Sequence, residues 1–499
     1  MGTINSTTAK YAILFFGCIA FHIIGTWSFP LVDRDEPRFA EASREMMETG
    51  DYIVPHFNNQ LRLDKPPLAY WAQIASYKIF GQNDFAARFP SAVAAALAAM
   101  LILVWGRQIG GDRVGWWAAI IFTLSLQTFM HAKAAVADMW LVLFVTLAHR
   151  AGYELLQEKT TSNAERRTSD AQWVWWLTFY ISLALGFLAK GPIAWTPLLT
   201  IAAFKYFSRD VEVGSRFKFV RGILLTLAIV ALWGVPAMIQ THGEFLRIGI
   251  GRHVVGRSFS AMESHGSNSL GVYLLLLPFY FVTIFASFFP WSIRLPALTK
   301  KLWRGSDKNH LRTSGYGGQV DIYLICGAAV IFLIFTLIKT KLPHYTLPAF
   351  PLLSLSLARH WSENKAALFK RIATATACLW LGIALIVPLL VAQSFPAYAL
   401  FQKSRDTLRP EMEFGSVDFQ EPSLVWYFRS SVHGWMTPLN QQTAASFMEQ
   451  VGPRFVILPT ESVTAAFPNP PSTWKTFSTS GINIAKGKHV DLSLVLKPD

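Results

Sequence analysis

The stretch that decides the fold of this chain is residues 31–81, which read LVDRDEPRFAEASREMMETGDYIVPHFNNQLRLDKPPLAYWAQIASYKIFG. It follows directly on the first long apolar run and is itself rich in acids and bases. Asp35 and Glu36 come just after that run, and Lys65 precedes a pair of prolines one loop later. Most of the remaining chain is apolar, so this polar segment is where we expect the chemistry of the protein.

The composition around that stretch is typical of a membrane protein. Of the 499 residues, 52% are apolar and only 15% are charged, whereas a soluble protein carries about 25% charged residues. Apolar runs of about 18 residues or more recur along the chain, and each is long enough to cross a bilayer as a helix. The sequence therefore predicts an all-α polytopic membrane protein. Its cysteines, Cys18, Cys326 and Cys378, lie inside apolar runs and give no disulfide framework or CxxC metal pattern.

Eleven apolar runs are candidate membrane spans. They are residues 11–31, 86–106, 114–131, 133–149, 172–189, 191–207, 219–240, 270–290, 320–338, 343–359 and 372–392. Basic clusters occupy alternate loops, as expected when cytoplasmic loops carry the positive charge. This distribution predicts a polytopic membrane protein with a cytoplasmic N-terminus, retained as an anchor, and with the intervening loops and the C-terminal tail on the outer face. It also accounts for the net charge of +14 without a nucleic-acid partner, for which the sequence has no binding motif.

The first outer loop, residues 32–85, is expected to be folded. Residues 35–49 predict a helix that Gly50 ends, and residues 66–80 predict a second helix that Gly81 ends. Both have apolar residues near one face, which suits helices that lie in the membrane interface. Asp84 is expected to cap the span that follows.

Two domains are expected. Residues 1–392 predict a transmembrane catalytic domain, which includes the first outer loop and a second large outer loop at 241–269. Residues 393–499 alternate short strand-like runs, such as 455–458 and 492–496, with helix-like runs. This alternation predicts a small C-terminal α/β domain outside the membrane.

Three positions in the outer loops are candidates for chemistry. Asp35 and Glu36 fit a general base or an electrostatic anchor, but two adjacent acids also fit an ordinary helix cap. Lys65 is held by the stiff Lys-Pro-Pro turn, which suits phosphate binding. The alternative is an ordinary interfacial lysine whose ammonium reaches toward water. Asp138 lies near an outer turn. An acid close to the membrane costs free energy, so we expect it either to be functional or to cap the following helix.

A basic set on the outer face is a candidate anion site. Its members are Arg252, His253, Arg257, His265, Lys339, Lys341, His344 and Tyr345. Contact with anionic lipids is the alternative for several of them. Asp64 and His253 are candidate metal ligands, although their spacing is not diagnostic. The sequence has no Walker-type GK[ST] motif, which argues against ATP-driven transport.

Several of these motifs resemble a known group. DEPRFAEASREM (35–46), GDYIVPHF (50–57), DKPPLAYW (64–71), LAKGP (188–192) and KLPHYTLP (341–348) resemble the GT-C glycosyltransferases that use polyprenyl-phosphate sugars. The similarity is greatest to the lipid A aminoarabinose transferases within the protein mannosyltransferase superfamily. It is strong over roughly the first hundred residues and patchy beyond them. The resemblance implies a GT-C fold, in which thirteen spans are usual, so we expect 11–13. It also implies a bacterial inner-membrane protein whose outer loops and C-terminal domain are periplasmic.

The resemblance also implies roles for individual residues. It assigns catalysis to Asp35, Glu36 and Asp138, and donor-phosphate binding to Lys65, Arg257, Tyr345 and Arg38. The family often has tyrosine directly after the arginine that corresponds to Arg38. This chain has Phe39 there, so it lacks a hydroxyl that could contact the acceptor.

The implied reaction is an inverting transfer of a sugar, of aminoarabinose or hexose type, from a polyprenyl-phosphate carrier to lipid A or another envelope acceptor. Cations would stabilise the charge that grows on the leaving phosphate, and Asp35 would accept a proton from the acceptor or orient it. No cofactor is expected to be obligatory, and a divalent metal is possible. A protein O-mannosyltransferase is an alternative within the enzyme class. A flippase for lipid-linked substrates and a scaffolding subunit are alternatives outside it, although no inverted repeat is visible.

Overall fold

The computed structural model describes residues 6–157, 165–208, 212–256, 269–305 and 316–499. The helices of the first half are α1 (Ser6–Ile23), α2 (Asp35–Thr49), α3 (Leu68–Phe80), α4 (Asp84–Leu124), α5 (Leu126–Ala132), α6 (Asp138–Leu156), α7 (Glu165–Lys190), α8 (Thr196–Phe207), α9 (Gly214–Phe217) and α10 (Phe219–Gln240). A π-helical segment covers Leu246–Gly256. The later helices are Leu270–Leu275, Phe279–Ser287, Leu295–Gly305, Tyr316–Leu337, Phe350–His360, Ala366–Val391, Pro396–Ser404, Pro422–Phe428, Gln441–Glu449 and Val463–Ala466.

The membrane class expected from composition is confirmed. Within the described ranges, five helical segments are long and apolar enough to cross a bilayer: Asp84–Leu124, Gln172–Lys190, Gly214–Gln240, Gly318–Leu337 and Glu363–Ser394. Thr8–Ile23 is a shorter apolar helix. Other apolar runs form helices below that length, such as Thr196–Phe207 and Phe350–His360, so the expected number of crossings stays a prediction.

Helix α4 is the central element of the membrane domain. Its first half is rich in alanine, and α1, α6 and the helix Phe350–His360 all pack against it. Small side chains let neighbouring helices approach closely in a membrane domain. The predicted run 86–106 and most of the run 114–131 are two separate helical segments of α4, because the backbone at Gly111 is not helical (φ 80°) and Gly106 packs against Gly115. The second run continues beyond Leu124 into α5.

The C-terminal region forms the predicted α/β unit. Its strands are β3 (Glu413–Val417), β4 (Met436–Leu439), β5 (Arg454–Pro459), β6 (Lys475–Asn483) and β7 (Lys488–Lys497). They make one sheet in the order β4-β3-β5-β7-β6, with β3 parallel to β4 and β5 and with β7 antiparallel to β5 and β6. The strand-like runs at 455–458 and 492–496 lie within β5 and β7, so those predictions are confirmed.

Both helices predicted in the first outer loop are present, although the second begins at Leu68 and not at Pro66. Their location in the membrane interface stays a prediction. Helix α2 begins at Asp35 and ends before Gly50, which adopts the left-handed conformation with φ 72°. Helix α3 begins at Leu68 and ends before Gly81, whose φ of 76° again favours glycine. A short hairpin, β1 (His56–Phe57) with β2 (Gln60–Leu61), connects them.

The predicted capping role of Asp84 is wrong. Asn83 caps α4 instead, because its side-chain oxygen accepts a hydrogen bond from Ala86 N at 2.8 Å. The Asp84 carboxylate points to the C-terminal domain, where it accepts from Trp426 Nε1 at 2.7 Å and from the Tyr427 hydroxyl at 3.0 Å. A carboxylate that is partly withdrawn from water needs such partners, so Asp84 joins the first outer loop to the C-terminal domain.

The C-terminal domain also holds the hairpin of the first outer loop. The Asn58 side chain donates to Met436 O at 2.8 Å and accepts from Met436 N at 2.9 Å, which attaches the hairpin turn to β4. Glu45 of α2 accepts from the backbone of Asn59 at 3.1 Å. The hairpin that leads to Lys65 is therefore fixed both to α2 and to the C-terminal sheet.

Candidate active site

A cavity of about 560 Å³ joins polar side chains to an apolar wall. Its charged and polar lining includes Lys65, Asp138, Lys190, His344 and Tyr345. Its apolar lining is Leu141, Pro192, Ile193, Trp195, Leu198, Leu199, Ile334, Phe335, Ile338 and Pro348. The cavity therefore has a charged surface that suits an anionic headgroup and, next to it, an apolar surface that suits a hydrocarbon chain.

Asp138 and Lys190 form an ion pair at the polar end of this cavity. Asp138 is the first residue of α6 and Lys190 is the last of α7, positions at which the helix dipoles favour an acid and a base respectively. Lys190 Nζ lies 2.5 Å from Asp138 Oδ1, and both side chains are largely buried. Asp138 therefore pairs with a buried ammonium and does more than cap helix α6.

His344 and Tyr345 reach the cavity from the 3₁₀ helix Pro343–Ala349. His344 Nε2 lies 4.0 Å from Asp138 Oδ1, and its ring centroid lies 4.9 Å from that of His131. Lys190 Nζ lies 5.9 Å from the centre of the Tyr345 ring. The predicted residues Asp138, His344 and Tyr345 thus come together with Lys65, although they are far apart in sequence.

Lys65 is placed by contacts of the loop that precedes α3. Arg62 pairs with Asp64 at 3.2 Å and donates to the Tyr70 hydroxyl of α3 at 2.9 Å. Asp64 lies 3.9 Å from Lys65 Nζ. Arg62 is buried and Asp64 only partly so, so the loop is anchored through Arg62 while Lys65 lines the cavity.

Asp35 lies near the loop that carries Lys65, but it is not among the residues that line the cavity. It is exposed at the start of α2, and its charge acts on Arg62 and Tyr70, which anchor the Lys65 loop. Phe39, one turn along α2, stacks on Tyr70 with ring centroids 5.2 Å apart. These contacts bring the start of α2 next to the Lys65 loop.

Glu36, in contrast, is fully engaged by the protein. Its two oxygens lie 2.8 Å from Arg88 Nε and 2.8 Å from Arg88 Nη2, a bidentate pair inside α4. They also accept from Val32 N at 2.8 Å and Ala135 N at 2.7 Å. With four donors around a buried carboxylate, the geometry favours a role in joining the first loop to α4 and to the turn before Asp138.

Arg38 and Lys341 occupy different surroundings. Arg38 is partly buried, and its charge acts on Asp33. Lys341 is buried and donates to Phe335 O at 2.9 Å and Thr336 O at 2.6 Å. These carbonyls end the helix Tyr316–Leu337, so Lys341 caps that helix and is not among the residues that line the cavity.

The remaining predicted residues are in the second large outer loop. Arg252 and His253 belong to the π-helical segment Leu246–Gly256. Arg257 and His265 lie outside the described residues. The metal pair Asp64 and His253 stays a prediction. In the part of the chain that is described, a different set, His131, Asp138 and His344, has donor atoms within 4.8 Å of one another.

The sequence interpretation missed Lys190, His131, Arg62 and Arg88. Lys190 carried a usable signal, because a lysine at the end of an apolar run of membrane length is costly and points to a partner acid. Arg62 and Arg88 resemble ordinary loop and helix-start charges. Only their tertiary partners reveal that both are buried.

Comparison with known proteins gives a consistent result. Residues 10–244 match the family model described as dolichyl-phosphate-mannose-protein mannosyltransferase. The undecaprenyl phosphate-alpha-4-amino-4-deoxy-L-arabinose arabinosyl transferase 2 of Proteus mirabilis is 27% identical over 83% of this chain and 71% of its own length. The corresponding transferase of Edwardsiella ictaluri is 28% identical over 72% of this chain and 60% of its own length.

The fold agrees with a solved structure as well. The crystal structure of ArnT from Cupriavidus metallidurans bound to undecaprenyl phosphate has a TM-score of 0.75 at 17% identity, covering 97% of this chain and 98% of that one. The apo structure of the same protein also has a TM-score of 0.75. At this identity the match establishes a shared fold.

Proposed function

We propose, for this member of the GT-C glycosyltransferase superfamily of protein mannosyltransferases and aminoarabinose transferases, that it transfers a sugar from a polyprenyl-phosphate carrier to lipid A or another envelope acceptor. The observation that carries the proposal is the cavity in which Lys65, Lys190 and Tyr345 adjoin an apolar wall. A polyprenyl phosphate has an anionic head and an apolar tail, and such a cavity suits both parts. The arabinosyl transferases named above support the donor class.

The chemistry follows from the charges. When the bond between the sugar and the phosphate breaks, negative charge grows on the leaving phosphate. Ammonium groups that are already in place stabilise that charge in the transition state. Lys65 and Lys190 supply them, and Tyr345 adds a hydroxyl. We assign donor-phosphate binding to these residues, with Arg38 and Arg257 kept as candidates from the resemblance.

Asp35 is the candidate base. It is exposed, near the Lys65 loop, and it has no ion pair among those recorded for the described residues. A carboxylate in this position can accept the acceptor's proton, or orient an acceptor that is already a phosphate. Asp138 has a different role, because its pair with Lys190 makes it a positioning acid that holds the ammonium in the cavity. Glu36 holds α2 in place through Arg88.

The predicted sidedness and domain limits are part of this proposal. The charge pattern of the sequence supports the sidedness, because basic clusters occupy the loops that alternate with the outer loops. We therefore place the cavity mouth and the C-terminal domain at the periplasmic face, with a transmembrane domain at 1–392 and an α/β domain at 393–499.

Reconstitution tests the proposal directly. The full chain in phospholipid vesicles is given undecaprenyl-phosphate pentose and hexose donors together with lipid A, and products are identified by mass spectrometry. The expected result is lipid A heavier by one sugar, with loss of the product in Asp35→Asn. Sugar transfer only to an added protein acceptor would instead assign the chain to the protein mannosyltransferases. Donor that crosses the bilayer uncleaved would replace the proposal with a flippase.

A further inference from the structure

We propose that His131, Asp138 and His344 form a Zn²⁺ site at the polar end of the cavity. The side chains come from three separate elements: α5, the start of α6 and the 3₁₀ helix Pro343–Ala349. Their donor atoms all lie within 4.8 Å of one another, and His344 Nε2 is 4.0 Å from Asp138 Oδ1. Zinc bonds to nitrogen and oxygen are about 2.0–2.2 Å long, so the three side chains need to close by roughly 1 Å around an ion.

A contact behind His131 points to a metal ligand. His131 Nδ1 lies 3.2 Å from Gln127 O and 3.1 Å from Gln127 Nε2, one turn earlier in α5. Metal-binding histidines commonly donate their second ring nitrogen to a backbone carbonyl, which fixes both the ring and its tautomer. In the tautomer with a proton on Nδ1, that nitrogen donates to Gln127 O, makes no hydrogen bond with the donor Gln127 Nε2, and leaves the lone pair of Nε2 available to an ion.

The donor set selects the kind of metal. Two imidazoles and one carboxylate suit Zn²⁺ and similar transition metals, whereas Mg²⁺ and Ca²⁺ prefer oxygen ligands. Three protein ligands also leave a coordination position open, as zinc sites do when they bind an exogenous ligand. Asp138 and His344 both line the cavity that Lys65 and Tyr345 share, so an ion held by them would lie beside the place assigned to the donor phosphate.

Lys190 and the metal ion compete for Asp138. The ammonium lies 2.5 Å from Asp138 Oδ1, and a carboxylate oxygen bound to a metal would lose that pair. Metal binding therefore releases the Lys190 ammonium toward the cavity. If the proposed transfer reaction is correct, an ion here raises the positive charge around the phosphate both directly and through the released lysine. This last step rests on the proposed function; the metal site itself does not.

The test measures metal binding by the full chain in detergent, without donor or acceptor. The protein is stripped of metal with a chelator and titrated with Co²⁺, whose visible absorption reports its coordination, and Zn²⁺ is then added as a competitor. We expect one Co²⁺ per chain, displaced by Zn²⁺. His131→Asn and His344→Asn should each weaken Co²⁺ binding by about tenfold or more, and Gln127→Ala, which keeps all three ligands, should weaken it less.

Lys190→Met provides the sharpest comparison, since removal of the competing ammonium should tighten Co²⁺ binding. Asp64→Asn and His253→Asn are matched controls at the alternative ligands and should leave the affinity unchanged. The proposal is overturned if Co²⁺ gives no coordination spectrum, if both histidine variants bind as the native chain does, or if binding follows Asp64 and His253. Because no substrate is present, none of these outcomes depends on whether the chain transfers sugar.

Discussion

Arg429 of the C-terminal domain is bound to the acidic face of α2, with its Nη2 atom 2.8 Å from Glu48 Oε2 and its Nη1 atom paired with Glu41. Glu41 is buried and also accepts from Arg44 Nη1 at 2.8 Å. Burial raises the pKa of Glu41, while Arg44 and Arg429 oppose that rise. The charged face of the helix that carries Asp35 is thus covered by a second domain.

Replacing Arg429 by methionine is therefore expected to destabilise the protein strongly. Removing one member of a buried ion pair costs about 3–5 kcal/mol when the other charge is left without a partner. Arg44 still pairs with Glu41, so we expect a loss near the lower end of that range. Thermal unfolding of the purified chain in detergent should give a clearly lower midpoint. Arg405→Met is the control, since Arg405 is 55% exposed and pairs with an exposed acid. Equal midpoints for the two variants would show that the Glu41 cluster does not hold the domains together.

Asp35→Asn should separate catalysis from stability. Asp35 is exposed, and a surface substitution changes the free energy of unfolding by about 0.5 kcal/mol or less. Loss of a general base lowers turnover by about 10²–10⁴-fold. Initial rates and unfolding midpoints measured on the same preparations should show a large loss of rate at an unchanged midpoint.

Glu36→Gln makes the matched comparison for that variant, because the two acids are adjacent. The substitution leaves Arg88 buried with a neutral partner, so we expect a lower unfolding midpoint as well as a lower rate. A Glu36→Gln protein as stable as the native chain, or an Asp35→Asn protein with near-normal turnover, would reverse the roles assigned to these residues.

Local elements were predictable because their signals are local. The bounds of α2 and α3 follow from helix-forming runs that end at Gly50 and Gly81, which adopt the left-handed φ that glycine permits. The strands β5 and β7 follow from short apolar runs between turn residues. The membrane class follows from the lengths of the apolar runs.

The pairing of charges was not predictable, because it depends on contacts between distant elements. The resemblance assigns catalysis to Glu36, and the sequence does not show that Arg88, 52 residues away, donates to both of its oxygens. Lys341 belongs to the predicted basic set, and the sequence does not show that it donates to carbonyls at a helix end. The apolar run before Lys190 signals a partner acid, but only the packing of α5, α6 and α7 identifies that acid as Asp138 and adds His131 beside it.

Lys65→Ala should act chiefly on donor binding. A hydrogen bond to a charged group contributes about 1.5–3 kcal/mol, so we expect the KM for the polyprenyl-phosphate donor to rise by roughly tenfold to a hundredfold. The KM for the acceptor should change little. Lys78→Ala on the exposed side of α3 serves as the control. Donor KM values that agree between Lys65→Ala and the native chain would remove Lys65 from the phosphate site.

Asp33 is expected to make stability depend on pH. Burial raises its pKa to about 7, with Glu421 adding to the rise, while hydrogen bonds from Ser423 and the charge of Arg38 oppose it. Ser423 N donates to Asp33 Oδ1 at 2.9 Å, so the carboxyl lies at the junction with the C-terminal domain. A carboxyl whose pKa is higher in the folded than in the unfolded protein stabilises the folded state when it is protonated. This contribution to the free energy of unfolding is complete below the unfolded pKa of about 4 and is lost as the pH rises through the folded pKa of about 7.

Asp33→Asn should remove that contribution, because the amide keeps an oxygen for Ser423 and carries no charge to desolvate. Unfolding midpoints measured from pH 5 to 8 should fall with rising pH in the native chain and fall less in Asp33→Asn, so that the variant gains relative stability at the alkaline end. Asp406→Asn is the control, since Asp406 is 92% exposed and should follow the native profile. Parallel profiles for the native chain and Asp33→Asn would mean that Asp33 titrates with an ordinary pKa and that its burial at the domain junction carries no energetic cost.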